Sequence, residues 1–367
     1  MQDLSDYNMS RENIIQPECP FPIDINSEAY IYHRGVIPQS AVEALAEGFF
    51  VLIDDYYSSG LEVLNALKRY VNQKYSAQSF SEQRSARSVY RELSHRLLLK
   101  IANHKLSVRK APEIGWLKIF YPGLSEFLLP FPQVQGLNSS WQWYKKGIYI
   151  PVLKEKIHPW YGTYFPTRFE HLELFENWLT QYKGEKKSAY DIGIGSGILS
   201  LQMLRHGVSK IWGTDINANA IIGLRELIKQ QQLSDKVELI HGNLFAEVTE
   251  ASELIVFNPP WIPASCNSEG LDHAIYYDED LFPRFFSESF QHLVPGGKVV
   301  LLFSNIGQIT GTQELHPIEF ELANEGRFRK KMCTRKKVRA ASQKTKRNPS
   351  WRSDELVELW ELEKIRS

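Results

Sequence analysis

Two short segments hold the residue types that could do chemistry. Asp191-Ile-Gly-Ile-Gly-Ser-Gly197 sets Gly193, Gly195 and Gly197 two apart at the end of an apolar run. Glycine permits a tight turn and lets a ligand approach the main chain. The spacing is G-x-G-x-G, so the third glycine of a pyrophosphate-binding G-x-G-x-x-G turn is missing. Ile211-Trp-Gly-Thr-Asp215 ends in an acid. A carboxylate there can accept two hydrogen bonds from a ribose diol. About sixty residues beyond the glycines, Leu254-Ile-Val-Phe257 runs into Asn258-Pro259-Pro260-Trp261. Two prolines fix φ and remove two backbone donors. Asn258 Oδ1 and the Pro259 carbonyl remain as acceptors in a stiff frame, suited to the two protons of a planar –NH2. Trp261 can stack on the same flat group. Such a clamp works by alignment and placed dipoles and needs no strong base.

These segments need strands that end at one edge. From residue 187 onward apolar runs alternate with helical periodicity. The pattern predicts strands near 187–192, 210–215, 236–241, 253–257 and 297–304, and helices near 197–206, 217–232 and 280–293. That alternation implies an α/β domain, a doubly wound and mostly parallel sheet with helices on both faces. Ligands of such sheets sit at the carboxyl ends of the strands, where both segments fall.

In this order the segments resemble the class I S-adenosylmethionine (SAM) methyltransferases that methylate amide or exocyclic amino nitrogens, over roughly residues 145 to 310. The resemblance implies a seven-stranded Rossmann-like sheet and SAM as cofactor. It places Asp191 near the methionine amino group. Lys236-Val-Glu-Leu-Ile-His-Gly-Asn-Leu-Phe245 matches the third strand and its exit, with Asn243 where the family usually has an Asp for the adenine amino group. The Leu244 amide would serve the adenine ring. Leu293-Val-Pro-Gly-Gly-Lys-Val299 resembles the turn before strand five. Tyr161-Gly-Thr-Tyr-Phe-Pro-Thr-Arg168-Phe-Glu170 is similar to the segment before the glycine motif in release-factor glutamine N5-methyltransferases. There the proline and arginine shape the mouth of the site, a role carried over to Pro166 and Arg168. The release-factor enzymes end the NPPY-type clamp in Tyr; Trp, as here, is also seen among adenine N6-methyltransferases.

The leading expectation is a SAM-dependent N-methyltransferase acting on a planar amide or amino nitrogen, with protein glutamine as first candidate. Adenine N6 of RNA or DNA, a small-molecule acceptor, and a SAM-binding module without transfer stay open. An N-terminal region precedes the catalytic domain of residues 145–367. Residues 1–40 read as a loose arm. Leu61, Leu64, Leu67 and Val71, then Val89, Leu93, Leu97 and Ile101, recur at helical spacing, so residues 41–144 read as a mainly helical, aromatic-rich domain. Pro112, Pro122, Pro130 and Pro132 are expected to break any long helix in its second half. Gly147 to Val152 reads as a strand leading into the catalytic domain, and Leu356 to Glu363 as a strand or a short helix.

Zero net charge gives no global pull toward nucleic acid or membrane. No apolar run has the roughly 18 residues that span a bilayer, and residues 1–16 lack the pattern of a signal peptide. Cys19, Cys266 and Cys333 are far apart, form no metal-ligand spacing and suit a reducing cytoplasm. Residues 327–347 hold eleven Lys or Arg and no acid. They are a candidate surface for an anionic partner, with a solvated late strand as the plainer reading.

Overall fold

The computed structural model describes residues 15–24, 28–75, 80–246, 248–264, 275–339 and 354–365. Two compact units emerge, one of residues 17–146 and one dominated by residues 147–367.

The first unit mixes helices with a sheet. Strands Ala29–Tyr32, Phe50–Ile53 and Leu97–Ala102 lie parallel in that order, and Lys105–Leu106 and Glu126–Pro130 pair antiparallel with the third. Helices span Pro38–Glu47, Tyr57–Lys74, Phe80–Ser94, Trp116–Phe120 and Phe131–Lys146. The expectation of a mainly helical region therefore needs correction, as does the loose arm where residues 29–32 form a strand. The helical spacing through Leu97 and Ile101 is a coincidence of period. The helix ends at Ser94, and Leu97, Leu98 and Leu99 are all fully buried. Three consecutive buried residues suit a strand covered on both faces, not one stripe of a helix. The prolines do not prevent a long helix either. Pro132 stands in the first turn of the 16-residue helix Phe131–Lys146, where a missing N–H costs nothing.

In the second unit, an antiparallel hairpin, Ile148–Ile150 with Glu155–Ile157, precedes the main sheet. Its strands are β1 (Ser188–Ile192), β2 (Lys210–Asp215), β3 (Val237–His241), β4 (Ser252–Phe257), β5 (Leu293–Ser304), β6 (Phe328–Lys337) and β7 (Leu356–Lys364). The spatial order is β3-β2-β1-β4-β5-β7-β6. The first five run parallel, while β7 is antiparallel to both its neighbours. Helices α1 (Glu170–Gln181), α2 (Ile198–Arg205), α3 (Ala218–Gln230), α4 (Leu281–His292) and α5 (Pro317–Asn324) cover the sheet. Side chains of a strand point alternately to the two faces, and this one splits its core accordingly. Leu254, Val256, Val300 and Leu302 join Phe175, Leu199, Leu201 and Leu224 of α1, α2 and α3. Ile255, Phe257, Val299, Leu301 and Phe303 join Phe282, Phe285, Phe286 and Ile318 of α4 and α5.

Leu356 to Glu363 proves to be a strand, and it explains much of the basic stretch. Glu358 and Glu361 of β7 are buried within the sheet. Arg335 lies opposite Glu358 on β6 with Nε 2.7 Å from Oε1, and Arg329 lies opposite Glu363 and pairs with it. Arg327 pairs with Glu321, Lys331 with Glu363, Lys336 with Glu173, and Arg339 with Glu170 and Glu173. Arg327, Arg329, Lys331, Arg335, Lys336 and Arg339 thus spend their charge on the protein's own carboxylates, while Lys330 lies over the Trp360 ring. Lys344, Lys346 and Arg347 lie outside the described residues, as does Cys266. Charged side chains also guard the open edge of β6 against pairing with other strands. No helix among the described residues is long and apolar enough to cross a membrane.

Candidate active site

The glycine loop leaves β1 with Gly193, Gly195 and Gly197 at φ of 62°, 52° and 75°, a region that side chains other than glycine seldom enter. Ile194 donates its amide to the Thr214 carbonyl at 2.9 Å, which ties the loop to β2. A Cβ on Gly197 would come within 2.7 Å of Leu224, so this glycine also lets α2 start close against α3.

Asp215 ends β2 and organises the loop. Its Oδ2 accepts the Gly195 amide and its Oδ1 the Asn217 amide, each at 2.8 Å. Each oxygen keeps lone-pair capacity for a second donor, which fits a ribose diol. Burial pushes the Asp215 carboxyl up, and the two amides pull it back. Asn217 also caps α3, accepting the Asn219 amide at 2.9 Å.

Asp191 is buried beneath the loop. Its Oδ2 accepts the Ser200 hydroxyl at 2.6 Å, while its Oδ1 has no hydrogen-bond partner among the described residues. Burial pushes its carboxyl up to about 7, against the pull of the Ser200 hydroxyl. A buried carboxylate oxygen without a donor is costly alone and well placed for a cation such as an ammonium group. The residues present therefore fit a SAM molecule with its ribose at Asp215 and its amino group toward Asp191. Asn243 lies exposed in the turn after β3. That turn is held against β2, since Gly242 donates to the Asp215 carbonyl at 2.9 Å and the Thr214 hydroxyl donates to the Leu244 carbonyl. Leu244 itself sits at a φ of 49°.

The clamp reaches this loop through strand register. Val256 pairs with Asp191 and Phe257 with Ile192, so Asn258 and Gly193 leave the sheet side by side. Pro259 is buried, and Asn258, Pro260 and Trp261 are half-buried. Trp261 does more than line the site. Its indole N–H lies 3.2 Å from Asn258 Oδ1 and 3.2 Å from the Leu302 carbonyl. Pro166 is buried in the segment before α1, and Arg168 Nη1 contacts Glu355 Oε2 at 2.7 Å. Glu355 precedes β7 and also faces the Ser304 hydroxyl at the end of β5. Ser200, Leu302 and Glu355 escape a reading of the sequence. Each sits in another element from the residue it serves, and none stands in a motif; only Ser200, three residues past the last glycine, has a placement that could have hinted at its role.

Residues 173–312 match the family model of the methyltransferase small domain. A Methanocaldococcus jannaschii protein named as a candidate protein N5-glutamine methyltransferase is 30% identical over 190 residues, 50% of this chain and 92% of that one. The release factor glutamine methyltransferase of Streptococcus pneumoniae is 32% identical over 146 residues, 36% of this chain and 52% of its own length. The ribosomal protein L11 methyltransferase of Alkaliphilus metalliredigens is 39% identical over 80 residues, 22% of this chain and 25% of that one. The chain thus spans about half of the second relative and a quarter of the third.

Proposed function

Because the chain belongs to the methyltransferase small-domain family and is a class I SAM-dependent methyltransferase, we propose that its acceptor is the side-chain amide nitrogen of a protein glutamine. The observation that carries the reading is the register of β4 on β1, which brings the Asn-Pro-Pro clamp beside the glycine loop. The relatives lend support, since those named above are described as acting on proteins. The pairing of the basic β6 with acids of its own fold removes much of the reason to prefer nucleic acid.

When bound, SAM supplies an electrophilic methyl group on a sulfonium sulfur. Asp215 would hold the ribose of the nucleoside end, and Asp191 would hold the amino group. Asn258 Oδ1 and the Pro259 carbonyl accept the two protons of the acceptor –NH2 and turn its lone pair toward the methyl carbon. Held so, the acceptor nitrogen would take the methyl group as its bond to the sulfonium sulfur is given up, and one proton would leave that nitrogen to water. These placed dipoles favour a pyramidal nitrogen over a delocalised amide, so much of the rate comes from orientation.

The test is transfer of tritiated methyl from SAM into a cell extract, followed by separate protease and nuclease digestion. Label released by protease and mapped to a methylated glutamine supports the reading. Label released by nuclease, or found on a lysine or a terminal amine, overturns it.

A further inference from the structure

Trp261 hydrogen-bonds to the side chain it was expected only to accompany. An indole nitrogen donates and cannot accept. Whatever atom of Asn258 faces it must therefore be oxygen, and the carboxamide can be turned only one way. A carboxamide oxygen has two lone pairs, so one can engage Trp261 while the other stays available to an acceptor nitrogen.

The indole is itself held. The same N–H reaches the Leu302 carbonyl of β5, the strand next to β4, so its second anchor is main chain of the central sheet. The ring packs against the hydrophobic cores on both faces of that sheet. His171 of α1 meets it edge-on, with ring centroids 5.7 Å apart and planes at 87°. Burial draws the His171 pKa down to about 4, so it packs there as a neutral ring. A residue that only stacked on substrate would need none of these ties.

Resting on the reading of this site as a methyl-acceptor clamp, we propose that Trp261 is a positioning residue. Its N–H, tethered to the Leu302 carbonyl, locks the Asn258 carboxamide in the orientation that presents Oδ1 to the acceptor nitrogen. The ring face contributes less to the rate than the N–H does.

Trp261→Phe separates the two roles, because it keeps an aromatic ring and removes the donor. The full-length enzyme and this variant are compared by initial rates of label transfer from tritiated SAM into extract protein of cells lacking the gene, titrated over extract concentration. SAM affinity is measured alongside and reports folding of the variant. The maximal rate should fall roughly tenfold or more, as expected for a misaligned clamp, with SAM affinity and the half-saturating extract concentration within about twofold of the parent. A second measurement uses enzyme labelled with nitrogen-15 in its indole groups, the Trp261 signal being assigned by its loss in the phenylalanine variant. In Asn258→Ala that signal should shift upfield and exchange faster with water. A maximal rate kept within twofold, or a loss confined to half-saturation, would return Trp261 to a stacking role and overturn the proposal, as would an indole signal that ignores Asn258→Ala. If the parent labels no protein, the glutamine reading fails, and the indole signal still decides whether Trp261 holds Asn258.

Discussion

Replacing Asn258 with alanine removes one acceptor from the clamp and leaves the glycine loop, Asp191 and Asp215 in place. We expect SAM binding by calorimetry to be unchanged and methyl transfer to fall by about a hundredfold or more, the scale of losing an aligned donor–acceptor contact at the reacting atom. Asp215→Ala should do the reverse. It should weaken SAM binding by about 1–3 kcal/mol, the scale of hydrogen bonds to a charged group, and the calorimetric value should lie toward the upper end because Asp215 also holds the Gly195 and Asn217 amides. Asp191 predicts a pH dependence. Its carboxyl is raised by burial to about 7, and an ammonium partner needs the ionised form. SAM affinity should therefore be flat above pH 7 and weaken by up to about tenfold per unit below it. Asp191→Asn should bind weakly at every pH and without that slope. In the free protein the same shift acts on stability with the opposite sense: the native state holds this proton where the unfolded state has lost it, so stability falls as pH rises from about 4 to about 7. These residues were legible because each stands in an unbroken motif at a strand end. The oxygen of Leu302 was not, since no periodicity marks a backbone carbonyl that a neighbouring strand brings to Trp261.

At the scale of elements, the pairing of β6 with β7 makes a claim about energy. Burial alone would raise the Glu358 carboxyl, but hydrogen bonds from His316 and Trp360 and the charge of Arg335 outweigh it and hold it below the usual range. Glu358→Leu leaves those donors without their shared acceptor, and we expect urea unfolding to show a loss of about 2–4 kcal/mol. Because the carboxyl is lowered in the fold, its contribution is present above about pH 4.5 and is lost as pH falls through its folded value. Glu358→Gln should blunt this part of the acid sensitivity. The sequence misled at this scale for a definite reason. Eleven bases without an acid look like a binding surface only while their partner strand is unknown, and that partner lies a score of residues onward in the chain. Leu97 and Ile101 misled differently, because a spacing of four satisfies a helix and a buried strand alike. The alternating strands and helices from 187 to 304 were readable because their apolar runs are short, separate and closed by turn residues.

At the scale of the whole molecule, two units each carry a core of their own, one around Leu97 to Leu99, Trp116 and Phe131 and the other on both faces of the seven-stranded sheet. Calorimetry should resolve two unfolding steps, and SAM should raise only the step of the unit that contains the glycine loop. At a hundredfold excess over the dissociation constant the shift corresponds to about 2.7 kcal/mol; a single transition moving as one body would contradict it. The order of strands has a further consequence for the chain as it is made. β6 is synthesised before β7, yet β7 is the strand that joins it to β5. A ribosome that has delivered β6 has delivered a strand whose Arg329, Lys331 and Arg335 still lack the acids they pair with, and β5 still shows an open side. Glu358 and Glu363 arrive only with β7, so the last strand both closes the sheet and completes the ion pairs of the strand made before it.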